Sequence, residues 1–200
     1  MAPEHVEDLR SRLRTRHLVL LDVDGVLNAV PLSGPSSAWP QWRTGQAVAQ
    51  ESAFRITWSP TVVDAVRGWT ELADVQWLTT WGHDANTSLR HLLELPELPV
   101  AGTHDEQDAG EPAPGSGAHA DVAPAAPDQL TGRWWKFDVV RRIVREQPDR
   151  RIVWVDDDLV GEVDIQDWVR DAVDCLLVVP HPASGLTQDD LAAIDAYLRR

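Results

Sequence analysis

The sequence predicts an α/β three-layer sandwich, a mainly parallel five-stranded sheet with helices on both faces. Two observations carry this. Apolar runs of strand length recur at 18–21, 75–78, 151–155 and 175–179, each too short for a helix and each bounded by turn-forming residues. Between them, apolar residues fall three or four apart, the spacing of an amphipathic helix. That alternation is the pattern of parallel strands joined by helical crossovers. A chain of 200 residues can bury a substantial core in one domain. Residues 1–200 are therefore read as one domain with inserts at 28–58 and 101–129.

The elements follow in order. Val6, Leu9 and Leu13 sit at helical spacing within 4–16 and predict a short leading helix. Leu18-Val19-Leu20-Leu21 reads as a buried parallel strand, and it runs into Asp22-Val23-Asp24-Gly25-Val26-Leu27-Asn28. The span 28–58 is rich in Pro, Ser, Gly and Trp. At its end Phe54, Ile56 and Trp58 alternate as a strand would, and 39–43 are expected to pair with them as a flap hairpin. Ser59-Pro60 supplies an N-cap and a first-turn proline for a helix with Val62, Val63, Val66 and Trp69 on its apolar face. Val75-Gln76-Trp77-Leu78 is the second strand and ends in Thr79-Thr80-Trp81-Gly82. The helix after it carries Leu89, Leu92 and Leu93 and stops before Pro96; 98–100 make a weak third strand.

Residues 101–129 differ in kind. They are rich in Ala, Pro and Gly and carry Asp105, Glu106, Asp108, Glu111, Asp121 and Asp128 with no Lys or Arg. Such a segment cannot bury enough apolar surface to offset the entropy of ordering it, which predicts a loosely ordered surface insert. Regular pattern returns with a helix over 135–146 (Val139, Val140, Ile143 and Val144 on one side). A fourth strand, Arg151-Ile152-Val153-Trp154-Val155, then meets Asp156-Asp157-Asp158. A helix with Val163, Trp168, Val169 and Ala172 leads to the fifth strand, 175–179. Thr187 and Asp190 form a capping-box pattern ahead of Leu191, Ile194 and Leu198.

The net charge of −14 excludes a general nucleic-acid binder, because phosphate affinity rests on clustered Lys and Arg. The single cysteine, Cys175, excludes an intrachain disulfide and a zinc cluster. No apolar run reaches membrane-spanning length. The charged stretch from Met1 to His17 lacks the apolar centre of a signal peptide, so a cytoplasmic setting is expected.

Three strands end in chemically capable residues: Asp22 and Asp24, Thr79 and Thr80, and Asp156 to Asp158. All strand ends of one sense share an edge of a parallel sheet, and ligands bind beyond the carboxyl ends. Lys136 opens the helix before the fourth strand and falls near the same edge. Several carboxylates meeting there repel unless protonated or bound to a cation. An all-oxygen, hard-ligand site suits Mg²⁺, which keeps several waters and commonly bridges to a phosphate.

The order Asp22-x-Asp24-Gly25-Val26, apolar-Thr79, Lys136, apolar-Asp156-Asp157 resembles the four motifs of the haloacid dehalogenase (HAD) superfamily, in its phosphatase branch. The similarity spans about 18–180. Trp77-Leu78-Thr79-Thr80-Trp81-Gly82 with Ala85-Asn86, and the later Gly185-Leu186-Thr187, resemble the HAD domains of Swiss army knife RNA-repair proteins. The resemblance implies a Rossmann-like fold with a minimal cap and a set of roles. Asp22 is the expected nucleophile, forming an aspartyl-phosphate, and Asp24 the expected general acid and base. Asp22, the backbone carbonyl of Asp24, Asp156 and Asp157 are the expected Mg²⁺ ligands, with Asp158 a cap or solvent residue. Thr79 or Thr80, with Lys136, is expected to hold the phosphoryl oxygens.

Ten tryptophans are many for this length. Trp69, Trp77, Trp154 and Trp168 fall on apolar faces and read as core. Trp81, directly after the threonines, is either packing or a surface for a substrate ring, and Trp39, Trp42 and Trp58 either pack or build the flap. His83 and His181 follow the second and fifth strands and are candidates for the substrate rim. The expected function is Mg²⁺-dependent phosphomonoester hydrolysis. The expected partner is a phosphorylated small molecule or a phosphorylated nucleic-acid end, and the competing reading is a non-catalytic binding module on the same fold.

Overall fold

The computed structural model describes residues 16–31, 36–104 and 134–200. Four parallel strands form the main sheet in the order β4-β1-β5-β6. They are β1 (His17–Leu21), β4 (Asp74–Trp77), β5 (Arg151–Val155) and β6 (Cys175–Val178). The remaining two, β2 (Arg43–Ala49) and β3 (Ser52–Trp58), pair antiparallel as a separate hairpin. The predicted third strand survives as a single parallel bridge from Val100 to Trp77 at the sheet edge. Its physical reason is proline: Pro96 and Pro99 lack the N–H a ladder needs. Pro99 contributes only its carbonyl, to Trp77 N at 2.8 Å.

Alternation along the strands splits their side chains between two cores. Val19, Leu21, Val153 and Val155 face one, closed by the helices Pro60–Trp69 and Gln188–Leu198. Leu18, Leu20, Ile152 and Trp154 face the other, closed by Trp135–Glu146 and Val163–Ala172. This is the three-layer sandwich expected. Trp69, Trp77 and Trp154 are fully buried, and truncating one to alanine should cost about 3–5 kcal/mol. Trp168 is half-buried and packs edge-on against Phe137. No helix among the described residues is long and apolar enough to cross a membrane.

The hairpin sits differently from the expectation. Its first strand is Arg43–Ala49, not 39–43. Trp39 is instead drawn into the core, its indole N–H donating to the Leu186 carbonyl at 2.8 Å. The turn at Gln50 and Glu51 takes two left-handed residues (φ 48° and 61°), as a tight two-residue hairpin requires. Asp84 accepts from Gln50 N at 2.8 Å and Ser88 Oγ from Val48 N at 2.7 Å, docking the flap on the segment after β4. Gly45 leaves room for the Leu92 side chain at that contact.

Local signals behave unevenly. Thr187 and Asp190 form the predicted capping box. Ser59 occupies its N-cap position, but its hydroxyl makes no cap bond. The leading helix of 4–16 lies outside the described residues except for Arg16, and the insert of 101–129 does so beyond residue 104.

At the amino ends of the strands a polar cluster closes on itself. Arg151 donates to Asp174 Oδ2 at 2.7 Å, meets His17 Nε2 at 3.1 Å and lies 4.3 Å over the Tyr197 ring. The Tyr197 hydroxyl donates to the Asp174 carbonyl at 2.8 Å.

Candidate active site

The central strand β1 has β4 on one side and β5 on the other. The chain reaches β4 before β5, so it reverses direction across the sheet at β1. Such a switch point opens a crevice beyond the carboxyl ends, which is where an α/β sheet binds ligands. Asp22 directly follows β1, Thr79 is the second residue after β4, and Asp156 directly follows β5.

The loop after β1 is wound tightly. Asp22 N donates to Val155 O at 3.0 Å, while Leu27 N and Asn28 N both donate to Val23 O at 2.9 Å. Gly25 takes φ +70°, a conformation that strains any residue with a Cβ. A methyl group there would also collide with the Asp157 carboxylate. The glycine is what lets the Asp-rich turn after β5 close against the loop after β1.

Lys136, the second residue of its helix, is buried at 1% exposure and spans two carboxylates. Its Nζ donates to Asp22 Oδ2 and to Asp156 Oδ2, both at 2.8 Å, and stands 3.9 Å from Asp158. Asp22 Oδ1 accepts from Val23 N at 2.7 Å, and the nearby Thr79 hydroxyl favours the ionised form of Asp22. Thr79 is buried; Thr80 is exposed. Trp134 stacks on Trp154 beneath this group, with the Lys136 ammonium 5.4 Å from the Trp134 ring.

One ammonium does not balance the carboxylates. Asp22, Asp156, Asp157 and Asp158 can each bring an oxygen to within 4.8 Å of the others. Burial raises Asp22 above the usual carboxylate range against the pull of Lys136. Burial and the charge of Asp22 push Asp156 up to about 8, and burial with the charge of Asp158 pushes Asp157 up to about 6. Burial pulls the Lys136 ammonium down, but Asp22 and Asp156 outweigh it and hold it above its ordinary value. Hard oxygen donors in surplus over cations, gathered at one point, suit a divalent cation such as Mg²⁺.

Asp158 takes the solvent alternative of its expectation and not the cap. It is largely exposed, with one oxygen close to the carboxylate cluster. The residue that caps the following turn is Asp156, whose Oδ1 accepts from Asp158 N at 3.1 Å.

The Asp24 side chain is held apart from that cluster. Asn28 Nδ2 donates to Asp24 Oδ1 at 2.6 Å, and the Trp81 indole donates to Asp24 Oδ2 at 2.8 Å. Asn28 Oδ1 in turn accepts from Thr57 N of β3 at 2.8 Å, so the flap braces the carboxylate. Trp81 is only 6% exposed and packs edge-on to Phe54. Packing, one of its two expected roles, is thus shown. Trp58 is core with Trp39, whereas Trp42 is half-buried. His83 and His181 are exposed, and no hydrogen bond or ion pair among the described residues ties either to Asp22, Asp24 or Asp156.

Sequence reasoning missed the brace on Asp24. Asn28 was within reach, since an amide four residues from a carboxylate across a glycine turn is a local pairing. The Trp81 bond joins residues 57 apart and left no local signal. Asn86 proves to be a structural tie: its side chain accepts from Trp77 Nε1 and donates to the Leu98 carbonyl, fixing the segment after β4.

Comparison with curated proteins and with solved structures gives no match. A family model described as the HAD domain in Swiss Army Knife RNA repair proteins matches residues 18–191, which takes in Asp22, Thr79, Lys136 and Asp156 and all four strands of the sheet. With most of the chain matched and the carboxylates gathered at the switch point, this protein belongs to that family of HAD domains.

Proposed function

We propose that the chain is a Mg²⁺-dependent phosphomonoester hydrolase working through an aspartyl-phosphate on Asp22. Family membership supports a HAD-type phosphatase at the level of the superfamily. The observation that carries the finer reading is the pairing of Asp22, gripped by Lys136, with Asp24, held separately by Asn28 and Trp81. Two carboxylates two residues apart thus have two environments, which is what a nucleophile and a proton carrier need.

In this reading Asp22 attacks phosphorus while the ester P–O bond breaks. Asp24, protonated at that stage, gives its proton to the departing alkoxide. Asp24 then takes a proton from water as the water oxygen attacks the same phosphorus. The acyl phosphate bond breaks, returning Asp22 as carboxylate and releasing inorganic phosphate. Lys136 and the Thr79 hydroxyl face the transferring oxygens and stabilise charge developing on them. Asp22, Asp156, Asp157 and the Asp24 carbonyl would hold Mg²⁺, which would supply charge neutralisation.

The family description favours a phosphorylated RNA end as one substrate class, while the net charge of −14 opposes steering of a polyanion. We take a phosphorylated small molecule as the first reading, in a cytoplasmic setting. A non-catalytic module has less support, because Asp22, Asp24, Thr79, Lys136 and Asp156 are all present.

The test is hydrolysis of a panel of phosphomonoesters, 3′- and 5′-phosphorylated oligonucleotides included, with Mg²⁺ and with chelator. Asp22→Asn keeps the shape and removes the nucleophile, so turnover should fall at least about a thousandfold, on the order of 4 kcal/mol of barrier. Undiminished turnover in Asp22→Asn, or full activity in chelator, would sink the reading.

A further inference from the structure

A cavity of about 810 Å³ opens beside Asp24, within the range of small-molecule sites. Asp24 is among its lining residues, with Val30, Pro31, Trp42, Phe54 and Arg55. Val30 is 51% and Phe54 45% exposed, two of five large hydrophobics so exposed among the described residues. Large apolar side chains gathered in one open cavity are informative where singly exposed ones are not. Arg55 makes no ion pair among the described residues, in a chain that is strongly acidic.

Position decides what this cavity holds. Resting on the hydrolase reading, Asp24 protonates the oxygen that leaves with the alcohol, so whatever occupies the space beyond it is bonded to that oxygen. We infer that the cavity is the leaving-group site and selects phosphomonoesters whose alcohol carries a flat ring and, beyond it, a second anionic group. The ring lies among Val30, Pro31, Trp42 and Phe54, where aromatic contact adds to burial. The anion meets Arg55, a cation with a planar fork of donors suited to carboxylate or phosphate. A short aliphatic leaving group reaches neither.

The test compares benzyl phosphate with ethyl phosphate, whose alcohols are of similar acidity, so the ratio of kcat/KM reads the cavity and not the chemistry. The benzyl ester should be preferred about tenfold or more. Trp42→Ala and Phe54→Leu should each shrink that ratio several-fold, and Trp42→Ala leaves the contacts of Asp24 in place. In the same way 4-carboxybenzyl phosphate should be preferred over benzyl phosphate, and Arg55→Gln should abolish that second preference. Each ratio is internal to one preparation, so partial loss of folded protein cancels. A benzyl-to-ethyl ratio near one, or a ratio unmoved by both aromatic variants, overturns the inference while the hydrolase reading stands. If no ester is turned over, the hydrolase reading falls. The leaving-group assignment falls with it, and calorimetry with benzylphosphonate and ethylphosphonate then tests ring recognition alone: tighter benzyl binding that weakens in Trp42→Ala upholds a ring-binding cavity, and equal or absent binding overturns that too.

Discussion

Trp81 and Asp24 are joined by an indole N–H that donates to a carboxylate oxygen at 2.8 Å, from a residue that is 6% exposed. The bond fixes the direction in which the proposed proton carrier points, using a side chain that is itself buried. Trp81→Phe keeps the ring and removes the donor. We expect kcat to fall about ten- to a hundredfold with KM little changed, the signature of lost orientation. Steady-state kinetics on one ester settles it, and a change confined to KM would mean that Trp81 acts on binding.

Asp24→Asn removes proton transfer and keeps an acceptor for only one of the two donors, Asn28 Nδ2 and the Trp81 indole, because an amide nitrogen cannot accept. Turnover should drop roughly a hundred- to ten-thousandfold, with phosphorylated enzyme accumulating when the second half-reaction is the slower. Intact-mass measurement after quenching detects the added phosphoryl group. Unchanged turnover would reduce Asp24 to a turn residue.

Lys136→Met places an apolar side chain between Asp22 and Asp156, each 2.8 Å from the lost ammonium. Stranding two buried carboxylates should destabilise the fold by about 3–5 kcal/mol. Saturating Mg²⁺ should restore part of the loss, since it supplies the missing positive charge. Thermal melts with and without Mg²⁺ report both effects; an unshifted Tm would show that the carboxylates are already neutral.

At Gly25, alanine meets both a left-handed backbone and the Asp157 carboxylate. The backbone alone should cost about 1–2 kcal/mol. Displacing Asp157 should also raise the Mg²⁺ concentration needed for half-maximal activity. A Gly25→Ala protein with wild-type Mg²⁺ dependence would show that Asp157 does not serve the cation.

The opposite end of the sheet sets an acid limb of stability. A hydrogen bond from Arg151, with a second from Tyr197, holds Asp174 below its ordinary value. Its stabilising contribution is therefore present above the usual carboxylate pKa of about 4 and is lost as pH falls through the lower folded value. The carboxylate is 61% exposed, so screening keeps the effect small. Tm measured from pH 7 to 3 should separate wild type from Asp174→Asn at neutral pH and bring them together in acid. Parallel curves throughout would remove Asp174 from the account.

How much of this was legible depended on how local each cause was. The strands at 18–21, 151–155 and 175–179 were readable because four or five consecutive apolar residues leave few other options. Arg43–Ala49 was not, since Arg-Thr-Gly-Gln-Ala-Val-Ala buries only the small Ala47 and Ala49. Trp39 misled in its place, its burial being set by a carbonyl 147 residues away. The convergence of Asp22, Thr79, Lys136 and Asp156 could be anticipated from strand order alone. The division of labour among three consecutive aspartates could not, because it turns on which one caps the turn.

The cluster around Arg151 and the cluster around Lys136 occupy opposite ends of the same strands. Around Arg151 the charges find partners within the chain. Around Lys136, four carboxylates share one ammonium. The sheet is thus finished at one end and held in tension at the other, and its local stability must be lopsided. Backbone amides of 22–28 and 156–161 should exchange with solvent deuterium through small openings that leave the rest folded. Those near His17 and Arg151 should wait for the whole sheet to come apart. A cation that binds among the carboxylates would even out the two ends, slowing exchange at one rim and leaving the other as it was.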